Sequence, residues 1–168
     1  MAAEKTLILT EAQIKQRIIR MAYEIYEHNI ERKKIILAGV SGNGYKIAEL
    51  INDELAKISP ISTNLVKVDI NKEEPLKEEI QITLTNKELE NQSIVIIDDV
   101  LNSGRTVAFV LKAFLDVHVK KIEVATMINR SHKSFPIYPK YVGYELATTI
   151  NEHIEVVVHG ENQGAYLF

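Results

Sequence analysis

Asp98 and Asp99 stand side by side at the end of the apolar run Ser93 to Ile97, and Asn102, Ser103, Gly104, Arg105 and Thr106 follow within a few residues. A buried carboxylate is costly unless something binds it. Adjacent acids after a strand can accept hydrogen bonds from vicinal hydroxyls, which suits a ribose. Hydroxyls, free backbone amides and the positive end of a helix together make a phosphate cradle. Acids for a sugar and a helix start for its phosphate fit a 5-phosphoribosyl group. The plainer alternative is an acidic strand end followed by an ordinary helix cap.

A second loop, Ala38 to Gly44, carries glycines at 39, 42 and 44. That spacing is G-x-x-G-x-G, so it fails the dinucleotide fingerprint, and Gly44-Tyr45-Lys46 fails the Walker pattern. What remains is an amide-rich turn, Ser41-Gly42-Asn43-Gly44, that either donates N–H groups to an anion or is simply a tight connection. The histidines are scattered and form no H-x-x-x-H pair, so no dedicated zinc site is expected.

These loops need elements to hold them. Thr10 can cap a helix in which Ile14, Ile18, Met21 and Ile25 recur at spacings of three and four. Lys33 to Val40, Ser62 to Ile70, Ser93 to Ile97 and Lys121 to Ile128 read as strands, and Tyr45 to Ile58 and Thr106 to Val117 as helices. Asn71 to Glu79 is polar, contains Pro75 and reads as a loop, with Ile80 to Leu84 as a returning strand. Beyond Pro139 the candidates are short, at Tyr141 to Leu146 and Ile154 to Val158. Alternating strands and helices predict an α/β fold with a mostly parallel twisted sheet flanked by helices. In such sheets ligands bind beyond the strand C-termini, where both loops fall.

The 168 residues suit one domain, with 46% hydrophobic and 26% charged residues. A net charge of −3 gives no global attraction for nucleic acid. The absence of cysteine excludes disulfides, thiolate metal sites and a cysteine nucleophile, and fits a reducing, cytoplasmic setting. No apolar run approaches the length of a membrane span.

The run "VIIDDVLNSGRT" resembles the signature of the type I phosphoribosyltransferases: apolar strand, paired acids, then [ST]-G-[RK]-T. The stretches "ILTEAQIKQRIIRMAYEIYEHN", "ILAGVSGNGYKIAELI" and "NRSHKSFPIYPKYVGYELAT" are similar, in order, to the branch of bacterial pyrimidine-operon attenuation proteins that also act as uracil phosphoribosyltransferases. The resemblance implies a type I phosphoribosyltransferase fold over 1–168, with a small hood built from roughly 129–168 and the N-terminal segment. It implies phosphoribosyl diphosphate and a nucleobase or nucleotide as ligands, uracil leading, with Mg2+ as cofactor and a homodimer or higher homo-oligomer as the assembly. Asp98 and Asp99 would serve as catalytic acids that bind the ribose hydroxyls. Asn102, Ser103, Gly104, Arg105 and Thr106 would hold the ribose and 5-phosphate, and Ser41, Gly42, Asn43 and Gly44 the pyrophosphate. Arg130 and the segment Tyr141 to Leu146, with Tyr141, Val142 and Gly143 foremost, would lie beside the base, and Glu161 near the metal.

Three departures stand out. The Ser41–Gly44 turn lacks the basic residue usual in the pyrimidine branch. Asn102 replaces the acid that many purine members carry there, and an amide takes no proton at neutral pH. The loop after Asp69 is short and lacks the branch's arginine–acid cluster, which bears on turnover more than on binding. A transferase, a nucleotide-sensing RNA-binding attenuator and a catalytically idle nucleotide-binding protein therefore compete. RNA is the less favoured partner, because the basic residues alternate with acids.

Overall fold

The computed structural model describes residues 5–149 and 152–168; residues 1–4 and 150–151, part of the expected hood, lie outside them. The order is β1 (Thr6–Thr10), α1 (Glu11–His28), β2 (Lys34–Val40), α2 (Asn43–Ile58), β3 (Ser62–Asp69), β4 (Gln81–Ile82), α3 (Asn86–Leu89), β5 (Ser93–Leu101), α4 (Arg105–Phe114), β6 (Lys121–Arg130), β7 (Tyr141–Leu146), β8 (Ile154–Val157) and β9 (Gly164–Leu167). Six strands form one sheet in the order β4-β3-β2-β5-β6-β7, parallel except for β4.

Both faces of this sheet are covered, which is why its strands read as unbroken apolar runs. Along β2, Ile35 and Leu37 point to the layer of α1 and α2, where they meet Ile18, Met21, Ile47 and Ile51. Ile36, Ala38 and Val40 point the other way, onto Val107, Val110 and Phe114 of α4. The α/β reading with a mostly parallel sheet is borne out.

The boundary that matters most is the end of β5. The acid pair reads as the start of a loop, but the strand continues to Leu101, with Asp98 opposite Thr126 and Leu101 opposite Asn129. Aspartate disfavours strands, yet pairing with β6 overrides that local preference. Only Asn102 to Gly104 then separate β5 from α4.

A second sheet, β1-β9-β8, is antiparallel and joins the two ends of the described chain. Of the span 129–168, Asn129, Arg130 and β7 belong to the large sheet, while β8 and β9 form the small one with β1. Leu9, Ile154, Val156 and Ala165 fasten this sheet onto the α1 side of the core. No helix of the described residues is long and apolar enough to cross a membrane.

Thr10 joins the small sheet to α1: it ends β1 and caps the helix. Its hydroxyl accepts from Gln13 N at 3.3 Å, and its own N–H donates to Gln13 Oε1 at 2.9 Å, a reciprocal capping box. Thr10→Ala is expected to destabilise the protein by ~1 kcal/mol, about 2–4 °C in Tm for a chain of this size. Thermal unfolding by circular dichroism checks this, and an unchanged Tm would show that the box contributes nothing.

Candidate functional site

At the C-terminal edge of the large sheet, Asp98 is buried, with only 2% of its surface exposed. Its Oδ1 accepts from the Asp99 N–H at 2.9 Å. Lys72, in the loop after β3, places its Nζ 3.2 Å from Asp98 Oδ1 and 3.8 Å from Asp99 Oδ1. Burial, reinforced by the charge of Asp99, pushes the Asp98 carboxyl up to about 7, while Lys72 pulls the other way.

The turn from β2 to α2 closes over the same acid. A Cβ on Gly44 would lie 3.0 Å from Asp98 Oδ1 and 3.0 Å from the Ile97 carbonyl, so glycine is what allows the approach. Gly42 begins α2 with φ of 90°, and Gly104 begins α4 with φ of 84°, conformations that other residues rarely adopt. Neither cap residue supplies a side chain to the first-turn amides. Two helix starts with amides available for an anion therefore flank the acid pair. Ser103 adds a hydroxyl, which accepts from Arg105 N at 3.3 Å.

The segment after β6 braces this cradle from behind. Ser103 O accepts from Ser134 N and Phe135 N, both at 3.0 Å. Lys133 Nζ donates to Asn102 O at 3.1 Å, to Leu101 O at 3.3 Å and to Asn129 Oδ1 at 2.7 Å, and also to Arg130 O. Arg130 donates to Asn102 Oδ1 at 2.9 Å, Thr148 Oγ1 at 2.7 Å and Thr149 O at 2.9 Å. Its guanidinium thus links Asn102 to Thr148 and Thr149.

The other residues expected on the base side are engaged within the protein as well. Tyr141 pairs with Ala125, part-way along β6, and its hydroxyl donates to buried Glu123 at 2.5 Å, away from the strand C-termini. The Val142 and Gly143 carbonyls accept from Arg20 Nη2 at 2.9 and 2.7 Å, and a Cβ on Gly143 would come within 2.5 Å of Met127 O. The register puts Tyr144, Glu145 and Leu146 opposite Ile128, Asn129 and Arg130, at the edge where a ligand would lie. Glu145 there accepts from Asn129 Nδ2 at 3.1 and 2.9 Å.

Glu161 is exposed in the turn between β8 and β9 and makes no polar contact with the acid pair. Its neighbours Val158 and Gln163 line a cavity of about 240 Å³ with Leu50, Asp53 and Lys57 of α2. Asp53 lies ten residues into α2 from the Asn43 end, roughly 15 Å at helical rise, so this cavity sits well away from the acids. Sequence reasoning missed Lys72 and Lys133. The rule that ligands gather beyond strand C-termini, applied to β3 as well as to β2 and β5, would have drawn attention to Lys72.

A phosphoribosyl transferase domain, as the family is described, matches residues 6–160. The chain belongs to the phosphoribosyltransferase family. The bifunctional protein PyrR of Haemophilus ducreyi is 32% identical over 163 residues, covering 91% of this chain and 89% of that protein. The protein of the same name from Macrococcus caseolyticus is 30% identical, covering 92% of each. Among solved structures, a hypoxanthine-guanine phosphoribosyltransferase from Bacillus anthracis superposes with a TM-score of 0.70 at 15% identity, covering 86% of this chain and 85% of its own. The hypoxanthine phosphoribosyltransferase of Trypanosoma cruzi gives 0.73 at 13%, covering 89% and 84%. These two likenesses establish the fold of this phosphoribosyltransferase.

The raised Asp98 carboxyl has a stability consequence. Between its ordinary 3.8 and about 7 the native state holds a proton that the unfolded chain has lost, so this group's contribution falls as pH rises through that window. Asp98→Asn cannot ionise and should escape the loss. The ligand-free variant is expected to gain ~1–2 kcal/mol at pH 8, about 4 °C in Tm, and little at pH 4. Scanning calorimetry at both pH values checks it; a gain confined to pH 4 would contradict the assignment.

Proposed function

We propose that this phosphoribosyltransferase moves a 5-phosphoribosyl group from phosphoribosyl diphosphate to a nitrogenous base, uracil first, and releases diphosphate. The observation that carries this reading is the Asp98–Asp99 pair, Asp98 buried and Asp99 partly exposed, set between two helix starts. In it the acids accept the ribose hydroxyls, the 103–106 cradle takes the 5-phosphate, and the 41–44 turn takes the diphosphate. The base would lie by Tyr144 to Leu146, with Asn102 held at the cradle by Arg130.

The site fits a hard divalent cation such as Mg2+. Asp98 and Asp99 present oxygen donors, and a cationic Lys72 is held between them. Mg2+ takes oxygen ligands and is commonly held by one or two carboxylates together with substrate phosphates. When bound, the ion would offset charge on the diphosphate.

In the transfer, the C1–O bond breaks and its electron pair leaves with diphosphate. A base nitrogen forms the new bond at C1 from the opposite face and gives up its proton. The protein's task is to hold the reactants in line and to answer the charge that develops, through amides on the phosphates and carboxylates on the ribose. Asp99→Asn should weaken phosphoribosyl diphosphate binding by ~1.5–3 kcal/mol, about ten-fold or more, with the fold intact. Calorimetry on the variant, with diphosphate release measured across a panel of bases, tests this. Unchanged affinity removes Asp99 from the site; binding without release from any base favours an idle nucleotide-binding protein.

A second activity is worth testing because the relatives are called bifunctional. Salt-dependent RNA binding needs clustered Lys and Arg, and this chain carries a net charge of −3. Filter binding with a pyrimidine-operon leader at about 50 mM salt is expected to show weak, non-selective retention that is lost by about 200 mM. A submicromolar, sequence-selective complex would promote the attenuator reading.

A further inference from the structure

We propose that Lys72 is the pyrophosphate-binding cation of this protein, standing in space where the Ser41–Gly44 turn has no positive charge of its own. The proposal rests on the phosphoribosyl diphosphate reading above and adds a residue to it from a loop that the signature motifs do not include.

The turn and the lysine arrive at the same corner from adjacent strands. β2 and β3 run in parallel register as far as Val40 opposite Val68, and Ser41 N donates to Val68 O at 2.9 Å. The turn therefore starts beside the end of β3, and Lys72 follows three residues after Asp69, where that strand stops. The ammonium lies 3.2 Å from Asp98 Oδ1, the same oxygen that a Cβ on Gly44 would approach to 3.0 Å. Ammonium, acid and turn thus share one small volume. The other cations nearby are differently placed: Lys46 is exposed on α2, and Lys77 pairs with Glu74 at 2.6 Å.

Without ligand, Lys72 serves as counter-ion to two acids. Ribose hydroxyls and a divalent cation compete for those same carboxylate oxygens. Once displaced, the ammonium remains tethered next to the turn on a flexible four-carbon stem whose side chain is 41% exposed. A diphosphate seated on the turn amides lies within its sweep and offers charge-assisted hydrogen bonds in exchange for the lost carboxylates. The motion needs only side-chain rotation.

Calorimetry on the intact chain with excess Mg2+ tests this, using phosphoribosyl diphosphate and ribose 5-phosphate as probes. Lys72→Ala is expected to weaken phosphoribosyl diphosphate about ten-fold or more. The same variant should bind ribose 5-phosphate, which has no diphosphate, as well as the wild type or better, because a competitor for the acids is gone. Lys72→Arg should restore most of the lost affinity, and Lys77→Ala should bind both probes normally. If Lys72→Ala binds phosphoribosyl diphosphate as tightly as the wild type, or more tightly, the lysine only fills the ligand-free acid pair and the proposal fails while the site reading stands. If the wild type itself does not bind phosphoribosyl diphosphate, both fall together.

Discussion

A carboxylate taken out of water beside a second carboxylate must be given either a proton or a cation. Asp98 meets that requirement at the end of β5, and much of the surrounding architecture follows from it. Gly44 lets a helix start press onto the acid. The Asp99 backbone N–H turns back to it. Lys72 reaches across from the neighbouring strand's loop to lie between the two side chains. The corner is tense in the electrostatic sense: burial and the neighbouring acid oppose ionisation of Asp98, and Lys72 favours it.

Charge and precision are supplied by different parts of the chain. The groups available to an anion beside the acid pair are largely amides at helix starts, fixed by the backbone. Behind them, two cations act on protein rather than on ligand: Lys133 gathers the Leu101 and Asn102 carbonyls, and Arg130 holds the Asn102 side chain against Thr148 and Thr149. Preorganised donors of this kind need little rearrangement when charge develops on the substrate.

The parts of this arrangement visible in the sequence are those built from contiguous residues. The paired acids, the Ser103–Thr106 cradle and the Ser41–Gly44 turn are local motifs, and the large sheet follows from apolar runs alternating with amphipathic helices. What escaped was non-local. The small sheet pairs β1 with β9 from opposite ends of the described chain; the resemblance implied a hood that includes the N-terminal segment, but neither strand has a pattern that predicts the other. Tyr141, Val142 and Gly143 were expected beside the base because the stretch is contiguous with the resemblance. The register of β7 on β6 sets the later half of the expected segment, Tyr144 to Leu146, opposite Ile128, Asn129 and Arg130. Arg130 carries the charge suited to a ligand, but Asn102, Thr148 and Thr149 already use it. Lys72 lies in a polar loop with no motif, and only the closeness of β2 and β3 in space gives it meaning.

Arg20 has a role that extends beyond its own helix. Successive carbonyls of a strand point to opposite sides, so a guanidinium bonded to both Val142 O and Gly143 O engages one on the open border of the large sheet. An unpaired strand border is a template for another chain to add to, and proteins guard against it with charge and with brevity. Here Arg20 of α1 brings the charge to β7, while at the opposite border β4 is only two residues long and pairs with Val68 and Asp69 alone. At the β7 border, a carbonyl that an added strand would need is already held by a charged side chain from α1.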